Sequence, residues 1–448
     1  MKKNIIVSIF GWLKSFFSEL GRVFTHKEKI IIFFFAIIFI GAGFILLYDN
    51  FIKFSKEAPV AGGTYREGVV AKIPEELTDT INRLTKIGLT RFDDQGKIAP
   101  AVALSWEVSA DVKNFTFTIK SDYSRDEVIG VLEKQKDKWP NIQIKPQDND
   151  KIVFSFPDAY SPFLASTTMP VLPYGVYKLE NNKDTDLTFI RNDKYIGQKP
   201  YLDKIVLKIY PDKENLDRAY KSKEIDGVYY AENAEDYPLS NMYDFSLPRY
   251  NMMFFNTSRE IFKDKDIRKK ITNGEKLDSE ININVVALDT KKYRQIVEEF
   301  AQKWPSQNIK ATVYYKSPNE LLGTIIPKRD YDILFYGLNY GADPDPYPFW
   351  HSTQSGDIGL NLSNFSNIDA DVALEDARKT TDEKIRQEKY TEFWKILADE
   401  APAVIISQDT WSFAVGNKFK GVATGWSVGP EDRFLKITEW YTKTKRIK

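Results

Sequence analysis

An apolar stretch near the N-terminus is the clearest pattern in the chain. Residues 30–47 contain no polar side chain, and as a helix they would span roughly 27 Å, close to the ~30 Å hydrocarbon core of a bilayer. A cleaved signal peptide usually has a shorter apolar region and ends at a small-residue site. Here Tyr48-Asp49-Asn50-Phe51 follows instead. The pattern therefore predicts a transmembrane helix over residues 30–48 and favours an uncleaved anchor.

The segment before this helix, residues 1–29, is basic, with six Lys or Arg and two Glu, a net +4. The positive-inside rule places it in the cytoplasm and everything after the helix outside. Apolar residues from Ile5 to Leu20 recur at helical spacing, which predicts an amphipathic helix on the cytoplasmic leaflet. An unstructured leader segment is the alternative. Residues 49–61 are short, polar and contain Pro59, so we expect a tether.

Short β-rich segments and helical segments then alternate, which is typical of a mixed α/β fold. The β-branched and aromatic runs predict strands at residues 115–119, 152–156, 205–210, 281–287 and 331–336. Helical periodicity predicts helices at residues 125–136, 215–223, 291–304 and 382–397, the last with Thr381 as a possible N-cap. We find no internal repeat or low-complexity tract.

Composition excludes several classes of function. Lys and Arg number 63 and Asp and Glu number 63, so the chain lacks the basic excess expected of a nucleic-acid-binding protein. With no cysteine it has no disulfide, no zinc–thiolate site and no lipid-modified N-terminal cysteine. The only histidines are His26 and His351, and no catalytic or phosphate-binding motif is present. We therefore expect neither an enzyme nor a bound cofactor.

Several segments, in order along the chain, resemble the family 5 extracellular solute-binding proteins, the dipeptide, oligopeptide and nickel receptors of ABC importers. They are residues 62–68, 84–93, 96–109, 192–195, 199–205, 222–226, 254–256, 266–268, 343–346, 350–352 and 359–361. The resemblance implies a bilobal α/β fold of the periplasmic-binding-protein type, class II, with three subdomains in a solute-binding domain over residues 62–443. Lobe I would comprise residues 62–82, 168–255 and 410–443, lobe II residues 83–167 and lobe III residues 256–409.

The chain also departs from the family pattern. The loop between Asp122 and Asp126, the segment after Pro173 and residues 272–280 are all shorter than their family counterparts. Lobe II is therefore expected to be reduced, and the size of the binding groove is in question.

Asp343 and Asp345 are the first candidate ligand-binding residues. They follow a predicted strand in an Asp-Pro-Asp-Pro loop, and the carboxyl end of a strand in an α/β lobe commonly faces a cleft. A carboxylate there could bind the ammonium group of a peptide. The alternative is that both residues only shape the turn. The family's amine-binding aspartate lies slightly upstream, where this chain has Gly341 and Ala342.

Four further residues complete the candidate site. Trp350 could stack on a ligand, and His351 could donate a hydrogen bond to its carboxylate or ligate a metal, or both could simply be packed. Asn256 could clamp main-chain groups by hydrogen bonding, or it could be a turn residue whose hydrogen bonds are already satisfied. Trp411 could line the cleft or belong to the core. With a single histidine, this site is poorly suited to binding a bare metal ion.

The function expected from these features is that of a membrane-anchored, extracytoplasmic, monomeric protein that captures a peptide-like solute by lobe closure. It would deliver the solute to an ABC permease and ATPase complex. Two alternatives remain: a reduced member that acts as a membrane-bound sensor or scaffold, and a binder of a metal chelate or an oligosaccharide.

Overall fold

The computed structural model describes residues 25–93, 95–139 and 141–447, in two compact units. The first unit contains the described residues up to 60 together with 443–447, and the second contains residues 61–442. The predicted amphipathic helix lies outside the described residues.

The helices are α1 (His26–Phe54), α2 (Thr78–Thr85), α3 (Arg125–Glu133), α4 (Phe163–Ser166), α5 (Lys213–Lys221), α6 (Glu260–Lys263), α7 (Lys265–Asn273), α8 (Lys291–Ala301), α9 (Pro318–Glu320), α10 (Ile326–Lys328), α11 (Tyr347–Trp350), α12 (Ile368–Arg378) and α13 (Glu383–Glu400). The strands are β1 (Lys56–Pro59), β2 (Thr64–Val70), β3 (Thr90–Phe92), β4 (Ile98–Pro100), β5 (Ala103–Val108), β6 (Asn114–Ile119), β7 (Gln143–Gln147), β8 (Lys151–Ser155), β9 (Tyr177–Asn182), β10 (Asp186–Arg191), β11 (Lys204–Tyr210), β12 (Gly227–Val228), β13 (Ser240–Phe255), β14 (Ile281–Leu288), β15 (Ile309–Lys316), β16 (Ile333–Asn339), β17 (Ala403–Gly416) and β18 (Thr444–Ile447). The strands and helices predicted between residues 115 and 397 are confirmed, with ends shifted by a few residues.

In the first unit, α1 contains one stretch long and apolar enough to cross a membrane, residues 26–48, and none of it is buried within the protein. The helix continues to Phe54, and β1 then pairs antiparallel with β18. Most of the predicted tether over residues 49–61 is therefore helix or strand rather than irregular chain. The reason is a long-range contact, because the C-terminal strand supplies backbone partners that the local sequence does not reveal.

The second unit is organised by a ten-stranded sheet in the order β15-β14-β16-β13-β17-β12-β2-β11-β10-β9. Strands β13 and β17 are long enough to belong to both halves of this sheet. Residues 240–246 of β13 pair with residues 410–416 of β17 in the first half, and residues 250–254 pair with residues 403–408 in the second half. The register shifts between Ser246 and Tyr250, so the two halves meet at an irregularity in two shared strands.

A separate four-stranded antiparallel sheet, β5-β6-β8-β7, forms the centre of a smaller region that we call the small lobe, residues 87–174. Its core is aromatic: Phe115, Phe117, Phe154 and Phe163 are completely buried and their rings contact one another at centroid distances of 5.0–6.2 Å. This packing matches the alternating pattern of β6 and β8, in which every second residue is apolar.

Helix α13 begins one residue later than its sequence suggested. Asp382, not Thr381, is the N-cap, and its carboxylate accepts hydrogen bonds from the backbone N–H groups of Lys384 at 2.9 Å and Ile385 at 3.0 Å. Aspartate also places a negative charge at the positive end of the helix dipole, which favours it over threonine as a cap.

Candidate functional site

The site predicted from the sequence lies beside the junction of the two half-sheets. At the junction, Leu247 accepts a hydrogen bond from the side-chain amide of Gln408 at 2.9 Å, and Pro248 accepts one from the backbone N–H of Tyr340 at 2.8 Å. Tyr340 is the first residue after β16, so the loop that contains the predicted aspartates starts at the junction. Hinges are usually a few residues that absorb a change in backbone conformation, and residues 247–249 lie between the two paired segments of β13.

Asp343 and Asp345 do not present free carboxylates. Asp343 receives two hydrogen bonds from Arg386, at 2.6 and 2.8 Å, and Asp345 receives two from Arg378, at 2.6 and 2.9 Å. The side chains of both aspartates are at most 13% exposed. Burial alone would lower the pKa of Arg386, but the hydrogen bonds and charge of Asp343 outweigh it and raise that pKa. Each carboxylate is thus already neutralised within the protein.

Tyr390 completes this charged cluster. Its hydroxyl accepts a hydrogen bond from Arg386 at 2.7 Å and lies 3.5 Å from Oδ1 of Asp345. Burial, and then the negative charge of Asp345, raise the pKa of Tyr390, so the phenol stays protonated. Asp345 also accepts the backbone N–H of Tyr347 at 3.2 Å, which fixes the first turn of α11. The aspartates therefore hold the loop between β16 and α11 against α12 and α13.

Trp350 and His351 lie in the same loop but face inward. Trp350 is 1% exposed, its indole N–H donates to the hydroxyl of Tyr340 at 2.9 Å, and its ring packs near Phe254. His351 is stacked on Tyr347 at a centroid distance of 4.1 Å, and its Nδ1 accepts the backbone N–H of Thr353 at 3.2 Å.

The Nε2 atom of His351 lies 3.4 Å from Glu375 and 3.9 Å from Asp371, with no hydrogen bond of good geometry. No set of three or more His, Asp or Glu side chains among the described residues has an arrangement suited to a metal ion. His351 is thus a buried residue that terminates α11 and faces two acidic side chains of α12.

Asn256 is 1% exposed and uses both ends of its amide within the protein. Its Nδ2 donates to the carbonyls of Arg329 and Tyr331, both at 3.0 Å, and its Oδ1 accepts from the hydroxyl of Ser258 at 2.6 Å. The residue clamps the end of β13 to the segment before β16, since all its hydrogen bonds go to protein groups.

Trp411 lies on β17 close to the junction and is partly exposed. Its indole N–H donates to the carbonyl of Tyr229 at 2.9 Å, and its ring contacts Tyr229 and Tyr230 at centroid distances of 4.8 and 4.9 Å. Tyr230 is 46% exposed. We call these three residues the aromatic cluster. It combines apolar faces that reach solvent with a polar atom already fixed to the backbone, which suits stacking on a ligand.

A buried ion pair lies behind the aromatic cluster. Arg433 donates to Glu67 from Nη2 at 2.6 Å and from Nε at 3.1 Å, and neither side chain is exposed. The Arg433 guanidinium also stacks on the ring of Tyr229, 4.5 Å from its centroid. Tyr229 therefore contacts both the buried ion pair, through Arg433, and Trp411, through its ring and its carbonyl.

Glu431 is a charged residue that the sequence did not single out. It is half-buried, and its carboxylate accepts a hydrogen bond from its own backbone N–H but forms no ion pair with another described residue. Burial, and then the neighbouring charge of Asp432, raise its pKa, and they outweigh the opposite effects of that hydrogen bond and of the Arg83 charge. Burial is the main cause that raises the pKa of Tyr229, and the charge of Glu431 adds to it. An unpaired carboxylate therefore lies within electrostatic range of the aromatic cluster.

The small lobe contacts α12 beside the Asp345–Arg378 pair. Ser161 donates its backbone N–H to the carbonyl of Arg378 at 3.1 Å and its hydroxyl to the carbonyl of Ala377 at 3.2 Å. The Arg378 guanidinium lies 5.5 Å from the ring centroid of Tyr160 and 3.7 Å from that of Tyr347. Arg378 consequently joins the small lobe, α12 and the loop after β16. We call this set of contacts the Arg378 bridge.

Sequence reasoning found the loop but not its partners. Arg378 and Arg386 lie on either side of the turn between α12 and α13 and belong to no recognisable motif. The available hint was that two aspartates so close in sequence would need counter-charges if both were buried. Glu67, Arg433 and Glu431 were equally invisible, since Glu67 and Arg433 are 366 residues apart in the chain.

Two open depressions, with volumes of about 400 and 310 Å³, lie on the small lobe. Their linings include Asn141 and Gln143 in one case and Tyr123 and Arg125 in the other. Neither contains a residue predicted to bind a ligand.

Comparison with known proteins agrees with this architecture. Residues 134–274 match the family model described as bacterial extracellular solute-binding proteins, family 5 Middle. The chain is 25% identical over 182 residues to the nickel-binding periplasmic protein of Escherichia coli, covering 32% of this chain and 35% of that one. It is 20% identical over 324 residues to the oligopeptide-binding protein AppA of Bacillus subtilis, covering 56% and 58%. These alignments span about a third and just over half of those two proteins.

A similar fold is found in the ABC transporter substrate-binding protein CtaP of Listeria monocytogenes. The two structures superpose with a TM-score of 0.71 at 19% identity, over 86% of this chain and all of the other. The match shows the fold, and the mixed α/β, periplasmic-binding-protein architecture expected from the sequence is confirmed. Residues 134–274 are therefore similar to the middle part of the family 5 extracellular solute-binding proteins, and the chain has the fold of periplasmic binding proteins.

Proposed function

We propose that the protein is a membrane-anchored, extracytoplasmic binding protein that captures a peptide-like solute and delivers it to an ABC importer without chemical change. The observation that carries this proposal is the junction, where β13 and β17 link two half-sheets through a register shift beside the partly exposed aromatic cluster. The family-model match over residues 134–274 supports this class of function, and the apolar stretch of α1 supports the anchoring.

Ligand capture would proceed by closure of the two halves about the junction. A ligand shifts such an equilibrium only by its difference in affinity for the open and closed states. The Arg378 bridge provides contacts that depend on closure, because it joins the small lobe to α12 through Ser161 and Tyr160. We propose that these contacts stabilise the closed state.

Of the six residues predicted from the sequence, Trp411 is the one that we propose to contact the solute directly, together with Tyr230. Asp343 and Asp345 would act by positioning Arg386 and Arg378. Trp350, His351 and Asn256 are three more positioning residues, since each is at most 4% exposed.

The positive end of a peptide-like solute needs a carboxylate that is not already paired. Glu431 meets this requirement better than Asp343 or Asp345, because it has no ion-pair partner among the described residues. An ammonium group placed between Glu431 and the aromatic cluster would gain both charge and cation–π interactions.

The test is ligand-dependent stabilisation of the full chain in detergent. Thermal-shift and calorimetric measurements with a pool of di- to nonapeptides, nickel chelates and oligosaccharides should show stabilisation by peptides. Trp411→Ala should abolish it, whereas Trp106→Ala, a partly buried tryptophan of the small lobe, should leave it intact. No stabilisation by any pool would contradict solute capture.

One observation favours the alternative of a sensor or scaffold. Both aspartates of the predicted ligand loop are neutralised by arginines, which is expected if the loop has lost its receptor role. Co-purification from membranes distinguishes the two cases: a permease and an ATPase subunit support import, and a signalling or secretion component without them supports the alternative.

A further inference from the structure

The small sheet formed by β1 and β18 has two faces of opposite electrostatic character. Its register pairs Lys56 with Ile447 and Ala58 with Lys445. Directly opposed residues in an antiparallel pair share a face, so these four side chains lie on one side. Val60 donates its backbone N–H to the carbonyl of Lys443 at 3.0 Å, which extends the ladder by one residue and adds Lys443 to the same side. We call Lys56, Lys443, Lys445 and Ile447 the lysine face.

The opposite face is neutralised. It contains Glu57 and Arg446, which oppose each other and form an ion pair at 3.7 Å. Arg446 also donates to the hydroxyl of Ser55 at 3.1 Å, so its guanidinium is held against the end of α1. The lysines are different: Lys56, Lys443 and Lys445 are exposed, and none forms an ion pair within the part of the chain that the structure describes. Three positive charges without an ion-pair partner among the described residues therefore share one face of the sheet with the exposed Ile447.

The position of this sheet along the chain places the lysine face near the membrane surface. The candidate membrane span ends at Tyr48 and the helix continues to Phe54, an extension of about 9 Å at 1.5 Å per residue. The lipid headgroup layer is roughly 5–8 Å thick on each side of the hydrocarbon core. Lys56 follows two residues later, and β18 is fixed beside it by backbone pairing. Lys56 thus lies within about one Debye length, ~10 Å at 0.1 M salt, of the headgroups. Lys445 and Lys443 lie opposite residues 58 and 60, about 7 and 13 Å further along β1.

We propose that the lysine face is a lipid-docking surface that binds anionic headgroups of the outer leaflet. Lysines near a charged membrane contribute electrostatic attraction, and Ile447 supplies an apolar contact at the interface. The docked sheet combines residues that precede residues 61–442 in the chain, in β1, with residues that follow them, in β18. The inference rests on the proposed anchoring of α1 and adds a partner that the solute-binding role does not require.

The test uses the full chain in nanodiscs of phosphatidylglycerol or phosphatidylcholine that contain a nitroxide-headgroup lipid. Because the chain has no cysteine, a single fluorophore can be attached at Ile447→Cys on the lysine face or at Thr444→Cys on the opposite face. In phosphatidylglycerol the label at 447 should be quenched more than the label at 444. The difference should disappear in phosphatidylcholine and at high salt.

A triple variant, Lys56→Gln, Lys443→Gln and Lys445→Gln, should lower the ratio of docked to undocked protein by about fivefold for each lysine removed. The matched control replaces Lys134, Lys138 and Lys145, three exposed lysines of the small lobe, by Gln and should leave quenching unchanged. Equal quenching at 447 and 444 in phosphatidylglycerol would overturn the proposal. An asymmetry seen in native membrane vesicles and absent from nanodiscs would also overturn it, in favour of an acidic protein partner.

Intact-mass analysis of the purified chain separates this proposal from the proposed function. Loss of the first 48 residues would refute anchoring and docking together. An intact chain without asymmetric quenching refutes docking alone and leaves the anchored solute-binding role standing.

Discussion

Arg378 donates two hydrogen bonds to the same oxygen of Asp345, from Nε at 2.9 Å and from Nη2 at 2.6 Å, while its guanidinium stacks on Tyr347. The backbone carbonyl of Arg378 simultaneously accepts a hydrogen bond from Ser161 of the small lobe. One residue therefore connects a loop predicted to bind ligand with a lobe that moves relative to it if the protein opens.

The first prediction concerns this bridge. Ser161→Ala with Tyr160→Leu removes one hydrogen bond and one cation–π contact while leaving the Asp345–Arg378 pair intact, so the equilibrium should shift toward the open state by about 1–2 kcal/mol. Spin labels at Lys134→Cys and Lys384→Cys, one on the small lobe and one on α13, should report a larger fraction of long distances. An unchanged distance distribution would show that the contact does not stabilise closure.

The second prediction concerns the buried pair of Arg433 and Glu67. Arg433→Met leaves the Glu67 carboxylate unpaired in a fully buried site, and we expect a loss of about 3–5 kcal/mol in the free energy of unfolding. Adding Glu67→Leu removes the orphaned charge and should recover a large part of that loss. Denaturant unfolding of the two single variants and the double variant measures the coupling; additive effects would contradict it.

The third prediction concerns the pH dependence of Glu431. Because burial raises its pKa in the folded state, the folded protein binds the proton more tightly than the unfolded chain, and this residue lowers stability as pH rises through its folded pKa. Glu431→Gln should therefore raise the melting temperature at neutral pH and have little effect below about pH 4, near the ordinary glutamate pKa. The same variant should weaken binding of a peptide with a free amino terminus more than binding of its acetylated form. Equal weakening of both peptides would mean that Glu431 affects stability but does not bind the free amino terminus.

The fourth prediction concerns the start of α13. Asp382→Ala should cost about 0.5–2 kcal/mol of stability, because two backbone N–H groups lose their acceptor. Thr381→Ala, the position favoured by the sequence, should change the unfolding midpoint little. The reverse order in a urea titration would restore Thr381 as the cap.

Prediction from the sequence succeeded where the signal is local and failed where it is not. The period-two pattern of β6 and β8 and the periodicity of α8 and α13 located those elements within a few residues. Asp343 and Asp345 were singled out as candidate ligand-binding residues, but the arginines that bind them lie 43 and 33 residues away. Nothing in the intervening sequence marks Arg386 or Arg378 as their counter-charges.

The sequence by itself determined the apolar segment, the order and type of the secondary-structure elements and the resemblance to a solute-binding family, because each depends on composition or on short-range spacing. Tertiary structure decided which charges neutralise each other, which aromatic rings stay exposed and that β18 returns to pair with β1. These are contacts between distant residues, such as Ser55 and Arg446, which are 391 positions apart. They depend on how the chain closes its loops, which no local pattern specifies.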